Sequence, residues 1–366
     1  MKKAEKDKLE QTYGIFKFKV PSQREITSAL ALSGESTIFK KVITHEMDKF
    51  YDVISAPEDG DWLMKHNEYG QTYDEYMRNS VIPATPKRDV IYLVPLSYGE
   101  NISIDQGFLT GLLFICEAYF YGMKVKILDN KIDLKEQKIS VKMNYETNKI
   151  QFNSNEIINI LKKTIPDNAF CLISFTDQDL YSDRNELQKS ESEENKEDEE
   201  ILYNNTYCYG LTMLKQRLGV FSFARFDPLF YFQNVKESSE NQKQKELLTK
   251  YFFILFKRAC KVVVKEISHM FGIKNCVYYK CIINGFNSIE EFDYRPFEVC
   301  PICLRKLYTN IVLKSEKYIN PRVQNPYMII DRFTKVRDTL QEHFPVIFEN
   351  EVNWYTERVN SLQAEI

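Results

Sequence analysis

Four cysteines within 28 residues place the tightest constraint on how this chain of 366 residues folds. Their spacing is Cys276-x4-Cys281, then 18 residues, then Cys300-x2-Cys303. Four thiolates presented by two short turns match the ligand set of a closed, tetrahedral zinc site. The spacing therefore predicts one structural Zn²⁺ bound by these four cysteines. Four unrelated thiols, or two disulfides, are the alternatives.

The other four cysteines do not cluster, and each lies on an apolar stretch. We expect them to be core residues: Cys116, Cys171, Cys208 and Cys260. The N-terminus has no apolar signal region, and no run approaches 18 uninterrupted apolar residues, so the sequence predicts neither secretion nor a membrane span. We therefore expect an intracellular protein, cytoplasmic or part of a cytoplasmic or organellar assembly, where thiols stay reduced.

The charges are nearly balanced, with 49 Lys+Arg against 52 Asp+Glu and a net charge of -3. This balance gives no overall attraction to nucleic acid, which is not an expected partner. One stretch, residues 182–204, is strongly acidic; it carries Glu191, Glu193, Glu194, Glu197, Asp198, Glu199 and Glu200. Like charges repel, so we interpret the stretch as a solvated loop, with an acidic docking segment for a basic protein as the alternative.

The middle of the chain alternates between strand and helix patterns, which predicts an α/β or α+β fold with a mixed sheet. Asp89–Pro95, the helix Ser103–Tyr121 and Met123–Leu128 form a strand-helix-strand unit of the kind that joins parallel strands. Further elements are predicted at Ser140–Phe152 (hairpin), Asn155–Lys163 (helix), Ala169–Thr176 (strand) and Leu218–Phe226 (strand).

Helical patterns flank this region on both sides. Helical or amphipathic segments are predicted at Ser22–Leu32, at Thr37–Ile54, at Lys250–Phe271 and in one or two helices within 308–366. Residues Ser239–Lys245 are expected to form a loop, and residues 272–307 an irregular segment. Within the C-terminal helices, Leu340, Phe344, Phe348 and Val352 predict a packed face or an oligomer surface.

A second motif directly precedes the first clustered cysteine. Long zincin motifs place His, Glu, His, Gly and His at relative positions 1, 2, 5, 8 and 11, so that positions 1 and 5 share one face of a helix and bind one metal. In this chain those positions hold Lys265, Glu266, His269, Gly272 and Asn275.

Together with the cysteines, this motif resembles the archaemetzincins, a family of zinc metallopeptidases that combine the zincin motif with a four-cysteine zinc site. Other matching blocks are Gly60–Leu63, Pro86–Arg88, Ala118–Gly122, Asp179–Tyr181, Phe221–Phe226, Asn284–Gly285, Arg295–Pro296 and Cys300–Leu307. The resemblance implies a metzincin-like twisted sheet with helices and a zinc-stabilised cysteine-rich segment. It divides the chain into an N-terminal extension (1–54), an archaemetzincin-like domain (55–307, with the acidic insertion 182–204) and a C-terminal helical extension (308–366).

The departures from the family motif concern its chemistry. The resemblance implies three His ligands for a catalytic Zn²⁺ and a Glu that acts as general base on the bound water, and only Glu266 and His269 remain. Lys265 carries an ammonium that repels Zn²⁺, and Asn275 offers a weak carbonyl ligand. The other histidines lie outside the segment: His45, His66 and His343. We therefore expect no catalytic zinc, which leaves Glu266 as a vestigial base.

Two positions are open to Lys265. Its ammonium either occupies the place of the lost cation and neutralises Glu266, or extends along the surface to solvent. The function expected from these residues is a catalytically inactive pseudo-metallopeptidase. It would serve as a structural or binding subunit and contact other proteins through its C-terminal helices or its acidic loop. A hydrolase weakened by loss of two ligands and a peptide-binding module that retains the cleft are the alternatives.

Overall fold

The computed structural model describes residues 18–99, 104–128, 132–182, 199–204, 207–232, 242–313 and 326–366, with 199–204 described by their backbone alone. The described strands are β1 (Val90–Ser97), β2 (Lys124–Ile127), β3 (Ile132–Asp133), β4 (Val141–Asn144), β5 (Lys149–Asn153), β6 (Ala169–Thr176), β7 (Asp179–Tyr181), β8 (Glu199–Asn204), β9 (Tyr207–Met213) and β10 (Leu218–Ser222).

These strands form one mixed sheet, as the sequence predicted. Its order is β2-β1-β6-β10-β9-β7-β5-β4, with β3 paired to β1 and β8 paired to β9. Strands β2, β1, β6 and β10 run parallel, whereas β9 is antiparallel to β10, β8 and β7. The predicted strand-helix-strand unit is confirmed, because β1 and β2 are parallel neighbours joined through a helix, and the predicted hairpin is the β4–β5 pair.

The helices lie on both sides of this sheet and at both ends of the chain. They are α1 (Gln23–Leu30), α2 (Thr37–Thr44), α3 (Met47–Phe50), α4 (Trp62–Lys65), α5 (Tyr73–Glu75), α6 (Gln106–Tyr119), α7 (Ser154–Thr164), α8 (Gln242–Met270), α9 (Ile289–Asp293), α10 (Pro301–Leu313), α11 (Tyr327–His343) and α12 (Glu349–Glu365). Among the described residues, no helix is both long and apolar enough to cross a bilayer.

Successive side chains of the central strands point to opposite faces of the sheet, so the apolar core is divided into two layers. Ile91 and Leu93 of β1 face a large layer that also contains apolar residues of α6, α8 and the C-terminal helices. Val90 and Tyr92 face a smaller layer closed by α7. The motif helix α8 therefore lies in the larger layer, together with the cysteine-rich segment, and this placement buries its C-terminal half.

Both terminal regions pack against the cysteine-rich segment. Helix α10 crosses the predicted boundary at 307/308, and its Arg305 pairs with Glu35 and donates to the carbonyl of Leu30. From α12, Arg358 donates to the carbonyls of Val42 and His45. The division of the chain into three parts stays a prediction, but the terminal helices share one core with the central part.

Several segments differ from the sequence-based prediction. Residues 199–204, predicted as part of an acidic loop, form β8, because their backbone pairs with β9; residues 183–198 of that loop lie outside the described residues. Residues 242–245, predicted as loop, form the first turn of α8, whose exposed start carries no apolar stripe. Strands β7 and β9 were not predicted, and helix α10 begins within the segment predicted to be irregular.

The turn after α8 leads to a first testable prediction. Gly272 has φ +85°, and a Cβ added there would overlap the carbonyl oxygen of Ser80, whereas Gly60 has φ +100° and open space around it. Gly60→Ala is expected to cost about 1–2 kcal/mol of backbone strain. Gly272→Ala should lower the free energy of unfolding, measured by urea titration, by more than that. Equal losses in the two variants would show that the contact with Ser80 relaxes freely.

Candidate functional site

The zincin-like motif begins in the last two turns of α8 and continues past the end of that helix. The side chains of Lys265, Glu266 and His269 are 0%, 1% and 1% exposed. The helix ends at Met270. Gly272, whose backbone is in the left-handed region, donates its N–H to the carbonyl of His269 at 2.8 Å. These three side chains therefore lie in a closed interior, and a peptide carbonyl cannot reach Glu266 unless the surrounding core moves.

Lys265 is in direct contact with His269, the one histidine of the motif. Its Nζ lies 2.8 Å from His269 Nε2, one helical turn away. On its other side, the His269 ring places Nδ1 2.6 Å from the carbonyl oxygen of Ile273. A carbonyl only accepts, so Nδ1 carries the proton, and Nε2 offers its lone pair to an ammonium that only donates. The lone pair that a metal would need is thus already engaged.

Glu266 supplies the opposite charge. Its Oε1 lies 3.3 Å from Lys265 Nζ, and its Oε2 accepts from the hydroxyl of Thr212 on β9 at 3.3 Å. The buried carboxylate and the buried ammonium neutralise one another. Of the two positions open to Lys265, the structure shows the interior one, because the side chain has no exposed surface.

Asn275, at the position of the third ligand, is directed elsewhere. Its amide nitrogen donates to Glu68 Oε1 at 2.8 Å, and the same oxygen accepts from the indole N–H of Trp62 at 2.8 Å. Asn275 Oδ1 is buried and has no hydrogen-bond partner among the described residues. This arrangement leaves one neutral oxygen at the position where the family motif has an imidazole.

These residues do not fit a catalytic zinc. The motif offers one imidazole whose lone pair is engaged, one amide oxygen and one ammonium. The remaining histidines make other contacts: His66 stacks on Trp62, His343 stacks on Phe114, and His45 lies near Glu46. Within the described part of the chain, the four clustered cysteines are the one group of three or more His, Cys, Asp or Glu side chains placed to hold a metal.

The cysteine cluster does fit a zinc ion. The four Sγ atoms lie within 4.8 Å of one another, are buried and form no disulfide. A tetrahedral site with Zn–S bonds of about 2.3 Å places its sulfurs about 3.8 Å apart, and Cys276 Sγ and Cys300 Sγ are 3.6 Å apart. Cys276, Cys281, Cys300 and Cys303 would each supply one thiolate, which satisfies all four positions of a closed structural site.

Hydrogen bonds within the segment hold the two cysteine turns in place. The Asn284 amide donates to the carbonyls of Cys276 and Tyr279, and its Oδ1 accepts from the N–H of Cys281 at 2.7 Å. The N–H of Cys300 donates to Cys281 Sγ at 3.3 Å, which joins the second turn to the first. Such N–H donors to sulfur orient the thiolates and are the outer contacts expected of a metal site.

Cys276 differs in acidity from the scattered cysteines and from two members of its own cluster. Hydrogen bonds from the thiols of Cys281, Cys300 and Cys303 hold the pKa of Cys276 well below its ordinary value. Burial in apolar surroundings instead raises the pKa of Cys116 and Cys260. Burial also raises the pKa of Cys281 and Cys300, so the cluster favours one thiolate, at Cys276, as the first ligand for a cation.

Sequence reasoning missed two residues that shape the motif site. Thr212 lies on the unpredicted strand β9, and Gln71 lies in a loop 171 residues before the start of α8, at Gln242. Gln71 donates to the carbonyl of Gly272 at 3.1 Å and accepts from the N–H of Lys274 at 3.2 Å, so it fixes the turn between His269 and Asn275. No local pattern around Gln71 indicates this long-range contact.

Comparisons with known proteins agree with these features. Residues 240–309, which contain the motif and all four clustered cysteines, match the model of peptidase family M54. Archaemetzincin-2 of Rattus norvegicus is 30% identical over 277 residues, covering 72% of this chain and 71% of the relative. Archaemetzincin-2 of Homo sapiens is 28% identical over 287 residues, covering 75% and 74%. The crystal structure of archaemetzincin from Archaeoglobus fulgidus covers 59% of this chain and 99% of its own, at 18% identity and a TM-score of 0.36.

Proposed function

Since this chain belongs to the archaemetzincin family, peptidase family M54, we propose that it is a catalytically inactive member that holds one structural zinc. In this proposal it acts as a structural or binding subunit of a larger assembly. The observation that carries the proposal is the contact of Lys265 Nζ with His269 Nε2 at 2.8 Å inside the core. A lysine ammonium there replaces the positive charge of a metal ion without its Lewis acidity.

The chemistry of hydrolysis explains why this replacement matters. A zinc-bound water has a pKa of about 7, far below that of bulk water, so Glu266 has no activated nucleophile to assist when no metal is bound. An ammonium can donate hydrogen bonds to a carbonyl, but it cannot bind and ionise water in this way. The burial of Glu266 at 1% exposure also works against residual hydrolysis and against an open peptide cleft at this position.

Zinc stoichiometry tests the metal part of the proposal. Native mass spectrometry of the purified full chain is expected to find one zinc per chain, bound by the four cysteines. Peptidase assays with added Zn²⁺ should give no turnover that depends on Glu266, so that the wild-type chain and the Glu266→Gln variant are equal. Two zinc ions per chain, or activity that Glu266→Gln abolishes, would support the alternative of a weakened metallopeptidase.

The subunit role needs a test that leaves the core intact. A deletion of residues 308–366 would cut through α10 and remove buried residues such as Tyr355 and Arg358, so loss of a partner would be uninterpretable. A chain whose acidic side chains between 191 and 198 are changed to Gln or Asn avoids this problem. Under the proposal, a basic partner that co-purifies with the wild-type chain is lost from this variant if the acidic segment contacts it. Retention would point to the helical surfaces instead.

A further inference from the structure

We infer that zinc binding at the four cysteines and docking of the C-terminal helix pair α11–α12 are coupled equilibria, linked through Glu298. The inference rests on the structural zinc of the proposed function. It adds that metal occupancy controls whether about forty residues at the C-terminus stay attached to the core. The coupling follows from where the Glu298 carboxylate lies and from which elements donate to it.

Glu298 stands two residues before Cys300 and is almost fully buried. Arg332 of α11 donates to both of its oxygens, at 2.8 and 3.0 Å, and Tyr355 of α12 donates to Oε2. Tyr119 of α6 donates to Oε1 at 3.3 Å. One carboxylate thus gathers donors from three helices, two of which are the C-terminal pair.

The backbone of the same residue is fixed by the first cysteine turn. The carbonyl of Glu298 accepts from the N–H of Ile282, the residue after Cys281, at 3.2 Å, and Cys300 N–H donates to Cys281 Sγ. Beside it, the ring of Phe297 packs on Phe348, 5.0 Å between centroids, at the start of α12. A zinc ion that fixes Cys281 and Cys300 therefore also fixes the position and direction of the Glu298 side chain.

Burial makes this attachment sensitive to small displacements. A buried carboxylate that loses its ion-pair partner is strongly destabilised, so Glu298 and Arg332 must stay together or both reach water. If the cysteine turns loosen on loss of zinc, the bidentate contact is broken and the helix pair loses its charged anchor. By thermodynamic reciprocity, zinc must strengthen docking by the same factor by which docking strengthens zinc binding.

The chain offers a matched control for this linkage. Glu291 is a second buried carboxylate of the cysteine-rich segment; it pairs with Arg295 and accepts from the N–H groups of Trp62 and Asn287. These contacts lie on α4 and within the segment, not on α11 or α12. Glu291→Gln therefore perturbs the segment locally, whereas Glu298→Gln also removes the anchor of the helix pair.

Three measurements on the full-length chain test the coupling. Zinc is first counted, then its affinity is measured by chelator competition, and hydrogen exchange is followed for β6, α11 and α12. We expect Glu298→Gln to keep one zinc per chain, to weaken zinc binding about tenfold and to raise exchange in α11 and α12 while β6 stays protected. Removal of zinc from the wild-type chain should raise exchange in the same two helices first. Glu291→Gln should change exchange in neither helix.

The outcomes separate the two proposals. A wild-type chain without one cysteine-bound zinc contradicts the proposed function itself. One zinc per chain together with equal zinc affinity and equal helix exchange in the two glutamine variants would overturn the coupling alone. If Glu298→Gln fails to fold, Tyr355→Phe removes a single donor from the same carboxylate, and a shift of about two- to fivefold in zinc affinity is then expected. No shift in that variant would also overturn the inference.

Discussion

Replacing Lys265 by methionine is expected to lower the free energy of unfolding by about 3–5 kcal/mol, although the substitution is close to volume-conserving and removes a charge from the core. The reason is Glu266, which is 1% exposed and would lose the cation 3.3 Å from its Oε1. The His269 Nε2 lone pair would lose its donor as well. Urea or thermal unfolding of the purified variant measures the loss.

A double substitution separates charge pairing from packing. Lys265→Met combined with Glu266→Gln removes both charges, so it should recover most of the stability that Lys265→Met loses. Lys261→Met is the matched control on the same helix. Lys261 is also buried, which lowers its pKa to about 7, but it donates to the carbonyls of Phe292 and Asp293 and its loss leaves no buried carboxylate unpaired. A loss in Lys261→Met as large as in Lys265→Met would contradict the assigned role of the ammonium.

The sequence predicts which face of the helix carries Lys265, but not whether that face is buried. Helical spacing of four residues already places Lys265 and His269 on one face. Whether that face meets water or core depends on β9 and on the cysteine-rich segment, which pack over α8 from distant parts of the chain. Thr212 and Phe286 come from these two regions and lie against the ion pair. Local periodicity holds no information on such contacts, so both positions of the lysine remained open.

Strand β9 was missed for a related reason. Its sequence, Tyr207–Met213, contains Gly210, and glycine is depleted in strands. In the sheet, Gly210 lies against the ring of Phe221 on β10, where a Cβ would overlap that ring. The glycine is therefore explained by a neighbour in the sheet, which the sequence alone does not identify.

The buried arginines of the terminal regions are a third feature that the sequence does not predict. Arg305, Arg332 and Arg358 lie on α10, α11 and α12, and arginine side chains are mostly exposed in folded proteins. In the structure all three are buried, and carboxylates or backbone carbonyls of distant segments accept hydrogen bonds from them. The cysteine cluster was predictable because zinc chemistry fixes both residue type and spacing, whereas these anchors follow no spacing rule.

Substitution of a clustered cysteine should lower the free energy of unfolding more than any other substitution considered. Cys303→Ala is expected to abolish stoichiometric zinc binding and to lower the free energy of unfolding by more than about 4 kcal/mol, since a structural zinc contributes its binding energy to folding. Zinc counting by mass spectrometry and denaturant unfolding of the same preparation measure both effects.

Cys116 provides the control for this substitution, because it is fully buried but lies on α6 away from the cluster. Cys116→Ala removes the same sulfur from a packed position, so it should cost about 1–2 kcal/mol and leave one zinc per chain. The difference between the two variants isolates metal ligation from packing. If both variants lose the same stability and both keep one zinc, the ion is bound by other residues, and the central prediction from the cysteine spacing is wrong.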